Sequence, residues 1–287
     1  MKTALETIER VCADCRPVVA FSGGCDSQVL MHLIYTRTEH RPPAVFVNTG
    51  LLAEYEEPDA RAFAEALGAE FHVGTPKRDP LAQWLAQGWP ILGPLPARQW
   101  TAKNKHLGIR LNCEACCRRL KIMPGRELTR ALGCNAQFTG IRASDDQQRF
   151  HRLRVGGNIQ QGDGLVIAHP IAHWTDLMVR RYRRAHDLPE PRKNALGQVS
   201  SGCEICAGGW RFERNALSQA RRIAPERWRW FVLDCEAWLP LLVVKTGKPP
   251  DVVREAVARL GGPERLIEDF PETFDYAQRK PLPTYAK

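Results

Sequence analysis

Three short apolar runs, Pro17 to Phe21, Ala44 to Asn48 and Ala69 to Val73, alternate with stretches whose apolar residues recur at helical spacing. Asp26 to Thr36 carries Val29, Leu30, Leu33 and Ile34, and Pro58 to Leu67 places Phe63, Ala64 and Leu67 on one face. Strands that alternate with helices must be joined by crossovers, which makes neighbouring strands parallel. The order β-α-β-α-β therefore predicts an α/β fold built on a doubly wound, mostly parallel sheet. Ala136 to Thr139 and Leu165 to Ala168 are expected to extend that sheet, and an amphipathic helix over about Leu5 to Cys12 precedes it.

The rest of the chain changes character. Thr75 to Gly108 carries Pro76, Pro80, Pro90, Pro94 and Pro96, which predicts short helices within a long connection near the site. Beyond Trp210 the pattern is helical: Asp251 caps a helix that runs to Leu260 and stops at Gly261-Gly262, and Pro263 opens another. This divides the chain into a nucleotide-binding domain over 1–209 and a helical extension over 210–287. The longest apolar run, Trp238 to Val244, ends at Lys245, far short of the ~20 residues that cross a bilayer. The polar first ten residues do not read as a signal peptide, so the expected compartment is the cytoplasm, with no membrane partner.

Ser22-Gly23-Gly24-Cys25-Asp26-Ser27 stands where the first strand passes into the first crossover helix. In a parallel sheet, ligands bind at that end of the strands. Glycines let the backbone approach a ligand closely, so successive N–H groups and the following helix terminus can hold phosphate oxygens, with Ser22 and Ser27 adding hydroxyl donors. The loop lacks both the Gly-Lys-Ser/Thr ending of a Walker A motif and a G-x-G-x-x-G fingerprint, which excludes the P-loop NTPase and dinucleotide oxidoreductase readings. The hexapeptide resembles the pyrophosphate loop of PP-loop ATP pyrophosphatases. That resemblance implies ATP, with Mg²⁺ offsetting its charge, cleaved to AMP and pyrophosphate. The second strand ends Val47-Asn48-Thr49-Gly50, similar to the D-T-G segment of sulfonucleotide reductases.

Ten cysteines in a chain with no secretion signal argue for metal or redox chemistry over a disulfide framework. Cys116 and Cys117 are adjacent and Cys203 and Cys206 are spaced C-x2-C, a four-thiol set that suits zinc or a [4Fe–4S] cluster. The C-C…C-x-x-C arrangement resembles the cluster motif of adenylyl-sulfate reductases and of related phosphorothioation enzymes, which favours iron–sulfur. Lys121 and Pro124 follow the first pair much as in that family, with the basic residue displaced by one position. Thr139-Gly140-Ile141-Arg142 with Arg149 downstream, the stretch from His169 to Val179, and Ser200 to Cys206 also match its segments in order. The chain is identified on these residues as a member of the phosphoadenylyl-sulfate reductase-like family. By the resemblance, Ser22 to Ser27, Asn48, Thr49, Gly50, Gly140, Arg142 and Arg149 bind the nucleotide, and Asp26, Lys121 and Arg142 take part in catalysis.

The remaining cysteines read differently. Cys12-x2-Cys15 reads as structural, with redox or metal binding as the alternative, and Cys113 as a spare ligand or a loop thiol. Cys25, Cys134 and Cys235 read as small buried apolar groups, although Cys25 lies in the nucleotide loop. Trp174 and Val179 read as helix-packing residues. The reductases' E-C-G-x-H nucleophile motif has no match here, and the last cysteine is Cys235. With a formal charge of +9, and with arginines interleaved with Trp228, Trp230 and Trp238, nucleic acid becomes a candidate partner. The combination leads to an expected ATP pyrophosphatase that transfers sulfur to DNA in backbone phosphorothioation, partnered by a cysteine desulfurase or another sulfur donor. The alternatives are an adenylyl- or phosphoadenylyl-sulfate reductase releasing sulfite, a tRNA-thiolating enzyme, and a non-catalytic nucleic-acid-binding component.

Overall fold

The apolar runs become strands β1 (Pro17–Ala20), β2 (Ala44–Val47), β3 (Phe71–Gly74) and β4 (Ala136–Thr139), followed by β5 (Ile159–Gly162) and β6 (Leu165–Ala168). The structure, a computed structural model, describes residues 1–91, 95–145, 147–196, 203–205, 220–222 and 224–269. The strands form one sheet in the order β3-β2-β1-β4-β6-β5, parallel throughout except for β5, which runs antiparallel to β6. This is the expected mostly parallel α/β architecture. The chain divides into two compact units, Met1–Lys77 with Lys121–Ser201 and Arg78–Leu120 with Gly202–Lys287. The expected boundary at residue 209 lies outside the described residues.

The whole sheet belongs to the first unit. Its helices are α1 (Lys2–Asp14), α2 (Cys25–Arg37), α3 (Glu56–Ala66), α4 (Met123–Ala131), α5 (Gln147–Gly156), α6 (Asp176–Ala185) and the short α7 (Arg192–Ala195). Adjacent strand residues point to opposite faces, and β1 shows the consequence. Val19 joins the larger core with Ile8, Leu30, Phe46 and Phe138, whereas Val18 packs with Val45 and Cys134 against Leu128 and Leu132. Helix α2 is buried on nearly every side, with Val29, Leu30, Met31, Leu33 and Ile34 fully enclosed. Trp174 and Val179 are buried in the same core, the packing role their spacing predicts.

Strand β5 has no counterpart among the expected strands, because Ile159-Gln160-Gln161-Gly162 offers a single apolar side chain. A local signal was nonetheless present. Asp163-Gly164 joins β5 to β6 with both residues at positive φ, 51° and 74°, the geometry that Asp-Gly favours in two-residue hairpins.

The second unit contains helices Pro80–Gln87 and Ala97–Lys103, short helices within the proline-rich connection as expected, and helix Cys113–Cys117. Its later helices are Pro225–Arg229, Trp238–Thr246, Pro250–Arg259 and Pro263–Asp269. Trp84, Trp89, Trp230 and Phe231 form an aromatic cluster with ring centroids 5.3 to 6.3 Å apart, and Trp228 is buried. Among the described residues no helix is long and apolar enough to cross a membrane.

Candidate nucleotide site

The strand order places β1 between β2 and β4, so the chain leaves β1 toward one side of the sheet and β4 toward the other. Chain connections run apart at that point, and it is at such a point, at the carboxyl ends of the strands, that open α/β sheets take ligands. Ser22 to Gly24 leaves β1 on one side, and the segment from Gly140 to Asp145 leaves β4 on the other.

The glycines of the first loop have separate steric reasons. Gly23 sits at φ +69°, and a Cβ there would lie 3.1 Å from the Ala60 Cβ. Gly24 is the N-cap of α2 and supplies no side-chain cap, which leaves first-turn N–H groups for another acceptor. Ser27 fastens the loop: its Oγ donates to the Gly24 carbonyl at 2.9 Å, lies 3.2 Å from the Ser22 Oγ, and accepts from the Ser22 N–H at 3.4 Å. Gly140 meets this loop from the other side. A Cβ at Gly140 would stand 3.0 Å from the Asp26 carbonyl carbon and the Ser27 nitrogen.

Arg142 is buried and surrounded by acid. Its guanidinium lies 3.0 Å from Asp26 Oδ1, 3.0 Å from Asp145 Oδ1 and 2.7 Å from Asp176 Oδ1. Burial works against its charge, but the hydrogen bond to Asp176 and the charges of Asp26, Asp145 and Asp176 outweigh that and hold it above its ordinary range. Burial raises the Asp26 carboxyl; Arg142 opposes the shift, and Asp145 and Asp176 add to it. Asp145 also accepts from Arg149 at 2.6 Å. The two arginines assigned by resemblance thus share one carboxylate, and Asp26 of the glycine loop is tied to the loop after β4.

The second-strand segment behaves as a turn. Asn48 Oδ1 accepts from the Gly50 N–H at 3.0 Å, Asn48 Nδ2 donates to Glu57 at 3.0 Å, and Gly50 takes φ +77°. Sequence patterns did not reveal the role of α7. Lys193 and Glu56, each 4% exposed, pair at 2.6 Å, and Asn194 donates to the Cys25 Sγ at 3.2 Å, so α7 holds both the start of α3 and the glycine loop. At the ends of β4 and β6, buried His169 lies 2.6 Å through Nδ1 from the Thr139 hydroxyl. Burial, with Arg152 and Arg149 adding, drops His169 to about 4. Lys121 is exposed, in the π-helical turn Arg118–Ile122 that leads into α4.

Cys116, Cys117 and Cys203 all belong to the second unit, and the Trp84 indole N–H donates to the Cys116 Sγ at 3.3 Å. Cys206, the fourth expected ligand, lies outside the described residues. Among the described residues no three His, Cys, Asp or Glu side chains come together to hold a metal. Cys235 is buried, and burial, with Asp234 and Asp79 adding, pushes its thiol up to about 11.

The phosphoadenosine phosphosulfate reductase domain matches residues 16–208, well over half of the chain. The chain belongs to that family. It is 30% identical over 187 residues to a phosphoadenosine 5'-phosphosulfate reductase from Alkalilimnicola ehrlichii, covering 65% of this chain and 68% of that one. It is 27% identical over 234 residues to an adenosine 5'-phosphosulfate reductase from Allochromatium vinosum, covering 79% of each. A solved phosphoadenylyl-sulfate reductase from Candida auris, in its phosphate complex, aligns with a TM-score of 0.49 at 18% identity over 70% of this chain and 88% of that chain. The two sequence relatives overturn the expectation of DNA phosphorothioation. The relatives that match are sulfonucleotide reductases, and they favour the alternative reading in which sulfite is released. The glycine loop and the paired cysteines resemble both groups and so do not separate them, and the absence of an E-C-G-x-H match does not exclude a reductase.

Proposed function

We propose that the chain binds adenosine 5'-phosphosulfate at the switch point of the sheet and, with electrons from thiols, releases sulfite and AMP. The observation that carries this reading is the family's glycine loop at the carboxyl end of β1, set against the loop after β4, in a chain whose matched relatives are named as sulfonucleotide reductases. The chemistry has two steps. A thiolate attacks the sulfate sulfur, the S–O bond to AMP breaks, and AMP leaves with the bonding electrons. A second thiol then attacks the thiosulfonate at its thiol-derived sulfur, forming a disulfide and releasing sulfite, so two thiols are oxidised as sulfate sulfur is reduced.

The chain's contribution is electrostatic. Negative charge grows on the AMP phosphate as the S–O bond breaks, and first-turn N–H groups of α2 with the Ser22 hydroxyl stabilise it without reorganising, while Ser27 holds the loop through its bond to the Gly24 carbonyl. Arg142, committed to Asp26, Asp145 and Asp176, acts as a positioning residue that fixes the two loops against each other. We assign Cys116, Cys117, Cys203 and Cys206 to a [4Fe–4S] cluster, since an all-thiol set is what such a cluster takes. A bound cluster supplies an iron centre tuned by hydrogen bonds to its sulfurs, and Trp84 supplies one such bond at Cys116. Cys235, buried with its thiol pushed up to about 11, is not the attacking group.

The test is product analysis on anaerobically purified protein with a thiol reductant. Adenosine 5'-phosphosulfate, its 3'-phosphorylated form and ATP are offered separately. Sulfite and AMP from the first support the reading, and sulfite from the 3'-phosphorylated form alone reassigns the substrate within the same reaction. Pyrophosphate from ATP with no sulfite from either sulfonucleotide refutes it.

A further inference from the structure

Among the described residues the buried arginines and lysines are Arg142, Arg183 and Lys193. Arg142 meets three carboxylates and Lys193 meets Glu56, but no Asp or Glu of the described residues comes within ion-pair distance of Arg183. Arg183 lies in the last turn of α6 and is 8% exposed. Its Nη1 donates to the Gln28 Oε1 at 2.6 Å, and its Nη2 to the carbonyls of Pro189 at 2.8 Å and Leu188 at 3.4 Å. Every one of these acceptors is a neutral oxygen. A buried charge without a counter-charge is costly. The three bonds and the carboxyl end of α6 offset part of that cost, yet they leave a fixed positive charge inside the fold.

That charge stands beside the glycine loop. Gln28 is buried and closes the first turn of α2, its own N–H donating to the Gly24 carbonyl at 2.9 Å. Leu188 and Pro189, which accept from Arg183, lead into α7, whose Asn194 donates to the Cys25 Sγ. Burial raises the Cys25 thiol, and of the charges that act on it Arg183 is the largest and opposes the rise. Glu190 and Asp26 push the same thiol up. Glu190 is exposed, so solvent screens it, and Asp26 is bound to Arg142.

We propose that Arg183 is a specificity-determining residue of the nucleotide site, whose buried positive charge, set against the first turn of α2 through Gln28, raises the affinity for an anionic phosphate at the glycine loop. Its hydrogen bonds are committed within the protein, so it acts through space. First-turn N–H groups of α2 make the contacts, and Arg183 places a full charge behind the partial charge of the helix end. A charge held in a low-dielectric interior acts over a distance at which an exposed one is screened. The site therefore favours a nucleotide over a nucleoside by more than its hydrogen bonds alone provide. This role assumes the nucleotide reading above, and the test separates the two.

The full chain is compared with its Gln28→Glu variant. Glutamate has nearly the shape of glutamine and accepts the same bond from Arg183, so the packing is kept while the charge is cancelled. Labelling of Cys25 by iodoacetamide at pH 8, followed by peptide mapping, reads the charge with no nucleotide present. It should slow about tenfold in the variant, because the thiol rises further. Calorimetric titration should show AMP bound at least about tenfold more weakly, the effect of one unit charge acting over roughly 10 Å at an effective dielectric of about 20. Arg183→Met should move both readouts in the same direction. A purely structural Arg183 predicts AMP affinity at or above that of the wild type in Gln28→Glu, since the bond between α2 and α6 is kept and becomes charge-assisted on both sides. Cys25 labelling that is unchanged in Gln28→Glu, or AMP bound by that variant as tightly as by the wild type, overturns the proposal and leaves the nucleotide reading standing. A wild-type chain that binds no AMP overturns the nucleotide reading itself, and the proposal with it.

Discussion

Replacing Lys193 with methionine removes the cation from a buried pair and leaves Glu56 with the Ala53 N–H, at 3.3 Å, as its remaining hydrogen-bond donor. Breaking a buried pair on one side costs about 3–5 kcal/mol, because the surviving charge stays desolvated. The first unit has about 160 residues, and at about 2.1 cal/mol/K per residue its unfolding entropy is about 0.33 kcal/mol/K. The midpoint of that unit should therefore fall by about 9–15 °C. The exposed Arg192–Asp59 pair on the same short helix, 2.8 Å apart, adds little to this. Scanning calorimetry on the full chain measures the shift, and the double variant Lys193→Met with Glu56→Leu supplies the control. With both charges replaced by apolar groups of similar size, most of the lost stability should return. A single-variant fall below about 3 °C, or a double variant as unstable as the single, would refute the claim that this ion pair holds α7 to α3. Because Asn194 of α7 also holds the Cys25 thiol, the single variant should bind AMP more weakly even below its melting range.

Gly140→Ala should weaken AMP binding about tenfold in calorimetric titration, since the new methyl meets loop backbone at 3.0 Å and overpacking costs about 1–3 kcal/mol; unchanged affinity would show that the two loops do not define the site. His169 has a folded pKa lowered to about 4 from 6.5, so the unfolded chain binds the extra proton first as pH falls. Stability should be full above pH 6.5 and drop by roughly 3 kcal/mol as pH falls through the window down to about 4. His169→Gln should flatten that slope in urea titrations at a series of pH values. Cys235 should resist iodoacetamide at pH 8 in the folded chain and be labelled in urea, and Cys235→Ala should retain sulfite release; a dead but folded variant would make it the nucleophile after all.

Much of the site could be read from local patterns. Ser22 to Ser27 had to form a tight loop because it joins an apolar strand to a helix, and the structure places it at the carboxyl end of β1. Thr139 to Arg142 and the His169 to Val179 stretch were matched as separate segments, but nothing in either specified that Arg142 and Asp176 would meet at 2.7 Å. Arg142 looked like a free phosphate ligand because sequence shows a cation and not its partners. Nothing in the sequence marks Lys193 and Glu56 as a buried pair, since 137 residues separate them and neither lies in a recognisable motif. Strand β5 is hard to read from sequence because its two glutamines and terminal glycine dilute the periodicity, although the Asp163-Gly164 turn marks a hairpin.

The amino-acid sequence by itself determined the strand and helix order, the parallel sheet and the position of the glycine loop. These follow from periodicity, steric freedom at glycine and the need for crossovers, all of which act over a few residues or through chain connectivity. Tertiary structure alone decided which charges are neutralised and which two loops meet at the switch point. Those outcomes depend on distances between residues far apart in the chain, where a few ångströms of placement separate a solvated arginine from one held by three carboxylates.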